Sequence, residues 1–258
     1  MTHRRAFTLI ELLVVIAVIA LLVSLLVPSL KVAKRLAEQA VCMSNQRQIA
    51  IALNYYATDD EGGHFPPAPF WANGSMMFEV YREPPGAEGD GYEDGWFGLG
   101  LLFTTKTLDT ERVLYCPSQV WPFVYPDGWR DFIYWSNRQW RISSYIYRLF
   151  GQKNPGITQE MIDELHKMSI WNMPPRFALS ADLFHGAQYW VHTVSLGVGT
   201  AFGDGHAEFI DIAEEDRERS IYYNDFDHQD DSLRDPYTYS FWKAIDTNAW
   251  GPHRERWP

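Results

Sequence analysis

"RRAFTLIELLVVIAVIALLVSLLVP", Arg4 to Pro28, sets an acid, Glu11, near the start of a run otherwise suited to lipid. From Leu12 to Val27 the only polar side chain is Ser24, and with Phe7 to Ile10 the apolar run reaches 21 residues. About 20 are needed to cross the hydrocarbon core of a bilayer. A carboxylate at mid-bilayer costs roughly 2.5–3.5 kcal/mol on insertion scales, so Glu11 asks for a compensating partner.

The rest of the chain frames that question. Its 258 residues carry a formal charge of −11 and 16% aromatic side chains. One membrane segment and one soluble domain fit the length. The charge is unevenly spread. Residues 1–58 hold six basic side chains (Arg4, Arg5, Lys31, Lys34, Arg35, Arg47) against Glu11 and Glu38, net +4, and the other 200 residues are net −15. Nucleic acid demands a cationic surface, so an acidic domain of this kind excludes it as the expected partner.

His3, Arg4 and Arg5 directly precede the apolar run and favour a cytoplasmic N-terminus, with Lys31, Lys34 and Arg35 partly opposing on the far side. A secretory signal peptide would have a shorter apolar core and a small-x-small cleavage site after it. Here the run continues into "VPSLKVAKRLAEQAV" (Val27–Val41), a helical pattern. A plain signal anchor fits the apolar run but gives no role to Glu11 or to the Ala6–Phe7 junction.

The stretch "RRAFTLIELLVVIAVIALL" resembles the class III signal of type IV pilins and type II secretion pseudopilins. The resemblance implies that prepilin peptidase cuts between Ala6 and Phe7 on the cytoplasmic side and that Phe7 is N-methylated. The family usually has Gly before the cut; Ala6 is a small residue in its place. Glu11 becomes the fifth residue of the mature chain. Cutting exposes an α-amino group that is largely cationic at neutral pH. The resemblance implies that Glu11 of one subunit pairs with that amine on a neighbour. Such a pair in low dielectric fixes the register of otherwise greasy helices. The bland alternative is a carboxyl that sits protonated near the headgroups.

Pro28 removes one helical hydrogen bond and either kinks the rod or ends it at the membrane surface; pilin-like helices carry a proline near this position, which favours a kink. Beyond it, Leu36, Ala40, Met43, Ile49, Leu53 and Tyr56 recur at mostly three- and four-residue spacings. Asp59, Asp60 and Gly62–Gly63 supply the stop. One helix over residues 8–58 is expected, about 75 Å long. Its first half is for membrane or filament core, its second for a globular head.

The head resembles a narrower group, bacterial prepilin-like proteins with an H-X9-DG C-terminal motif. The likeness rests on "CMSNQRQIAIALNYYATDDEGGHFPP" (Cys42–Pro67), "LYCPS" (Leu114–Ser118), "SSYIY" (Ser143–Tyr147), "ALSAD" (Ala178–Asp182) and "AFGDGHAEF" (Ala201–Phe209), which fall in that group's order. Eleven residues separate His192 from Asp204, against nine in the motif. The tail from Ala213 to Pro258 resembles nothing named. The expected layout is leader 1–6, transmembrane or filament-core helix 7–28, amphipathic stem 29–58, and an extracytoplasmic head with long loops 59–258.

Each head motif also has a plain structural account. Asp204–Gly205 between short alternating runs is a hairpin signal, with Phe202 and Phe209 as its anchors. "RFALSADLF" (Arg176–Phe184) and "QYWVHTVSL" (Gln188–Leu196) read as neighbouring strands. The fold class is therefore α+β, a long N-terminal helix packed on an antiparallel sheet. Outside the cytoplasm, Cys42 and Cys116 are a candidate disulfide closing a loop of about 75 residues, worth roughly 4 kcal/mol in the loop-entropy model. Two free buried thiols are the alternative, and two cysteines alone make no zinc site.

Catalysis finds little support. Asp182, His185, His192, Asp204 and His206 can be drawn as a metal cluster, but there is no HExxH, paired CxxC, nucleophile elbow or phosphate loop. The expectation is no enzyme, no cofactor and no metal. Calcium is the nearest exception, at the oxygen-rich "NDFDHQDDSLRD" (Asn224–Asp235), which lacks EF-hand spacing. "EPPGAEGDGYEDG" (Glu83–Gly95) is a loop. The aromatic run "YPDGWRDFIYWSNRQWR" (Tyr125–Arg141) either fills the core or faces a glycan or exported protein. Two functions stay open: a processed subunit that assembles with its own kind into a type IV pilus or type II secretion filament from the inner membrane, or an anchored binding protein or minor tip subunit with an aromatic face.

Overall fold

The computed structural model describes residues 8–67, 76–82, 95–119, 133–134, 138–148, 169–174, 176–182, 192, 197–212 and 245. Helix α1, Leu9–Asp59, is 51 residues long and runs through Pro28 without ending there. It stops where the sequence supplies a stop. Asp60 leaves the helical region, and its carboxylate accepts from the backbone N–H groups of Gly62 and His64, both at 2.9 Å, and faces His64 Nδ1 at 2.7 Å. Gly63 then turns with positive φ (70°), a conformation a side chain makes costly.

Among the described residues the head holds seven strands. These are β1 (Met76–Arg82), β2 (Gly95–Trp96), β3 (Ile133–Tyr134), β4 (Arg138–Arg148), β5 (Ala178–Asp182), β6 (Gly197–Phe202) and β7 (Ala207–Asp211). They lie in the order β2-β1-β4-β5-β6-β7, with β3 paired to β4, and every pairing is antiparallel. The C-terminal half of α1 packs on β5, β6 and β7 and on the 3-10 turn Glu111–Leu114. A short helix α2 (Leu101–Thr104) closes the side near β1. The architecture is the expected α+β plan.

The seam between α1 and the sheet decides how close the two come. Strands β5 (ALSAD) and β6 (GVGTAF) are buried along their whole length, and most of their side chains are small. A Cβ on Gly199 would sit 2.9 Å from Asp182 Oδ2 and 3.0 Å from Met43 Sδ, so glycine lets the helix approach. The helix face that meets the sheet is Cys42, Asn45, Gln46, Ile49, Ala50, Ala52, Leu53 and Ala57. Two members of the expected stripe do not belong to it: Leu36 and Ala40 are exposed. The head begins to cover the helix only at Glu38–Cys42, so periodicity overran the contact by more than a turn. The face also includes two amides that a search for apolar residues passes over.

Asn45 Nδ2 donates to Tyr115 O (2.9 Å) and to the Tyr145 hydroxyl (3.1 Å), and Gln46 Nε2 donates to Gly199 O (3.0 Å). Each bond spans α1 and a different head segment. The core around them includes Tyr145, Tyr147, Phe202, Leu53 and Leu114, all less than 2% exposed, and Ile245 from the C-terminal tail. Tyr147 keeps its hydroxyl satisfied by donating to Pro66 O at 2.9 Å.

Two outcomes follow for the full chain in detergent. Gly199→Ala should lower head stability by about 1–3 kcal/mol through overpacking, read as a lower urea midpoint; an unchanged midpoint would show the seam to be loose. The His64 backbone N–H and ring hold the Asp60 carboxyl below its ordinary value. A depressed carboxyl stabilises the fold above its unfolded pKa and loses that contribution as pH falls through the lower folded value. Stability of the wild type should therefore fall more steeply than that of Asp60→Asn between about pH 4 and the acid limit. Parallel acid-denaturation curves would contradict this.

Candidate functional site

Two places in the molecule carry chemistry: the N-terminal end of α1 and a buried polar centre where the helix meets the sheet. At the first, Thr8 is the N-cap. Its hydroxyl accepts from Glu11 N (3.3 Å), while its backbone N–H and hydroxyl both lie 2.8 Å from Glu11 Oε2. This is a capping box, in which orphan N–H groups at a helix start are satisfied reciprocally. Glu11 is thus already bonded within its own helix, through Oε2; no partner of Oε1 lies among the described residues. Ala6 and Phe7, the expected processing pair, lie outside them.

Among the described residues nothing covers the apolar face of α1 from Leu9 to Leu36. Leu9, Ile10, Leu21, Leu25 and Leu30 are each more than 60% exposed. This helix is long and apolar enough to cross a membrane. Ser24 and Ser29 return their hydroxyls to the helix itself, to Leu21 O (2.7 Å) and Leu26 O (2.8 Å), so neither leaves an unmet donor facing outward. Pro28 sits between them inside the continuous helix.

The second place is built from six segments. Cys42 on α1 and Cys116 after the 3-10 turn are joined in a disulfide, with Cα atoms 5.0 Å apart and both residues buried. His192 Nε2 lies 3.7 Å from Cys116 Sγ and 3.2 Å from Asp182 Oδ2 at the end of β5. The edge of the Phe209 ring on β7 closes over the imidazole, with ring centroids 5.4 Å apart. The β5–β6 ladder stops at Ala181–Thr200, and the next N–H on β6, Gly199, donates to Asp182 Oδ2 instead of to backbone. Gly199 is therefore held through its N–H by Asp182 and through its carbonyl by Gln46.

Of the five residues that can be drawn as a metal cluster, four are described, and of these Asp182 and His192 meet here. Asp204 and His206 pair with each other on the β6–β7 hairpin, where the Asp204 carboxylate also accepts from His206 N at 3.0 Å. Burial pushes the Asp204 carboxyl up, but the backbone N–H and ring of His206 outweigh it and leave the net shift downward. Gly205 takes φ 86° and its N–H reaches Phe202 O at 3.0 Å, as the hairpin reading requires. The His206 ring stacks on Phe202 at 4.4 Å; Phe202 is fully buried and Phe209 half-buried. His192 itself stands in a turn, where a strand was expected over 188–196; the other residues of that stretch lie outside the described ones. So do His185, Asn224–Asp235, nearly all of Glu83–Gly95, and most of Tyr125–Arg141.

Sequence reasoning missed Asn45 and Gln46 and doubted His192. The signal for the amides was present: Cys42, Asn45, Gln46, Ile49 and Leu53 step by three, one, three and four, a helical face once polar residues are admitted.

The disulfide is the covalent tie between α1 and the head. Cys116→Ser should lower head stability by roughly 4 kcal/mol if the loop-entropy model holds for a closed loop of this length, seen as a lower thermal or urea midpoint. Equal midpoints for the variant and the oxidised wild type would show that the packed seam alone sets stability.

Residues 1–27 match the family model for the prokaryotic N-terminal methylation motif. No curated protein and no solved structure matches the chain. The matched segment holds the basic leader, the Ala6–Phe7 junction, the Thr8–Glu11 capping box and the uncovered half of α1 up to Val27. The chain therefore carries the prepilin-type signal of type IV pilin-like and pseudopilin-like proteins, on a long-helix α+β fold that fits theirs.

Proposed function

We propose that this chain is a structural pilin-like or pseudopilin subunit, cut before Phe7 by prepilin peptidase, N-methylated on Phe7 and assembled through α1 into a type IV pilus or type II secretion-type filament. The observation that carries the reading is the division of α1: an apolar half within a methylation motif has no cover among the described residues, and a gripped half bears the head. Before assembly that apolar half lies in the inner membrane, with the N-terminus cytoplasmic and the head outside. In the filament, copies of the same helix cover it. The role is structural, not catalytic.

Glu11 has two tasks in this account. Within its own helix it caps through Oε2. Oε1 then remains for the cationic amine of a neighbouring Phe7, so pairing between subunits need not break the cap. A carboxylate that satisfies N–H groups at the helix start is also less costly in the membrane than an isolated one.

A second reading is supported by exposed aromatics. Trp171 is 70% and Tyr55 68% exposed, and such side chains serve glycan or protein recognition in an anchored monomer or a minor tip subunit. The two readings part at Glu11. On the first, Glu11→Ala inserts in the membrane but fails to enter sheared filaments, and Glu11→Gln, which keeps the cap but loses the charge, fails likewise. Normal incorporation of both variants would overturn the assembly role and favour the anchored binder.

A further inference from the structure

The buried polar centre has three properties that a disulfide does not explain. His192, 5% exposed, sets Nε2 between the Cys116 sulfur at 3.7 Å and Asp182 Oδ2 at 3.2 Å, an imidazole held against both a sulfur and a carboxylate. Asp182, 1% exposed, leaves Oδ1 without a partner among the described residues. A carboxylate and an imidazole buried together are retained against a large desolvation cost. The Cys42 Sγ, Cys116 Sγ and His192 Nε2 atoms all lie within 4.8 Å of one another, and Asp182 borders the same nitrogen.

We propose that the head is a redox-gated zinc site: with the Cys42–Cys116 bond reduced, both thiolates, His192 Nε2 and the Asp182 carboxylate bind one divalent zinc ion. The distances suit it. Zinc–sulfur bonds of about 2.3 Å and zinc–nitrogen or zinc–oxygen bonds of about 2.0–2.1 Å put tetrahedral S···N and N···O neighbours roughly 3.5 and 3.4 Å apart. The Cys116 Sγ–His192 Nε2 separation is 3.7 Å, and His192 Nε2 lies 3.2 Å from the Asp182 carboxylate through Oδ2. The two sulfurs must part, to roughly 3.8 Å, which Cα atoms 5.0 Å apart allow by side-chain rotation. Asp182 borders the cluster of the two sulfurs and the imidazole without belonging to it, so its carboxylate must also move inward for Oδ1 to become the fourth ligand. Asp182 Oδ1 is free to ligate while Oδ2 keeps the Gly199 N–H, and that bond orients the carboxylate. Phe209 screens the imidazole side from water.

The chemistry balances with a dithiol as reductant. Its thiolate attacks one sulfur, the Cys42–Cys116 bond breaks, and the reductant leaves as its own disulfide after giving two electrons and two protons to the head. Zinc then displaces both thiol protons to water and takes the lone pair of neutral His192. The site carries a net charge of −1. Either link, S–S or S–Zn–S, ties α1 to the head, so the clamp survives in a reducing or an oxidising compartment.

The full chain in detergent, reduced with dithiothreitol and desalted under argon, is titrated with cobalt(II) and then zinc. One metal per reduced chain is expected, with a thiolate-to-cobalt charge-transfer band and the visible bands of tetrahedral cobalt, and none per oxidised chain. His192→Ala should weaken zinc binding more than roughly 100-fold, the upper end of what outer-shell partners contribute, and Asp182→Asn by at least about tenfold. Asp204→Asn on the hairpin should leave it unchanged. X-ray absorption of the wild-type zinc form reads the donor set without any variant: two sulfurs and two nitrogen or oxygen atoms. If reduction unfolds the head, one equivalent of zinc should refold it. A reduced chain that takes up no metal, that zinc cannot refold, or that keeps its affinity in His192→Ala overturns the proposal.

Discussion

One helix must satisfy two surroundings. Over its first 28 residues α1 offers side chains that only lipid or other apolar helices can match; from Cys42 onward it is the spine of an acidic, water-facing head. No covering element could serve both halves, because cover for the apolar half would remove the surface that suits it to a membrane. The chain resolves this by leaving the first half bare and gripping the second hard. The rest of the structure depends on that grip, since a head free to slip along a greasy rod would have no fixed register.

The grip is more polar than a core need be. Glycine at 199 brings helix and strand together, and the two amides of Asn45 and Gln46 then bond across the closed gap to Tyr115, Tyr145 and Gly199. Buried amides are costly unless paired, so they select one helix position over its neighbours; a slide by one turn would strand them. Apolar contacts alone would tolerate such a slide. The Cys42–Cys116 link adds a covalent stop at the membrane-proximal end of the same face. Register between the helix and the head is thereby fixed within the subunit.

How much of this was legible beforehand follows from the physics of each part. The helix, its stop at Asp60–Gly63, the cysteine pair, the Asp204–Gly205 hairpin and the α+β plan depend on local pattern, and local pattern is what a sequence displays. The Leu36–Ala40 error had a different origin: periodicity reports which face is apolar, not where a partner begins to cover it. The polar centre was hidden because its members come from residues 42, 46, 116, 182, 192 and 199, assembled by sheet topology that no spacing encodes. Asp182 and His192 were noticed as types but grouped with Asp204 and His206, which the hairpin carries to a separate surface pair.

The N-terminal end ties fold to function. The capping box shows why Thr8 and Glu11 are tolerable at the mouth of an apolar helix, and both lie within the matched methylation motif. On the proposed reading, only a chain freed of its leader has an amine that Glu11 of a neighbour can meet. The most direct test is therefore the mass of the N-terminal peptide of the protein purified from its own membranes. A peptide beginning at N-methylated Phe7 is the predicted result. An intact Met1 start, or a cut near Ser29, would contradict the account and leave α1 a plain anchor or a discarded signal.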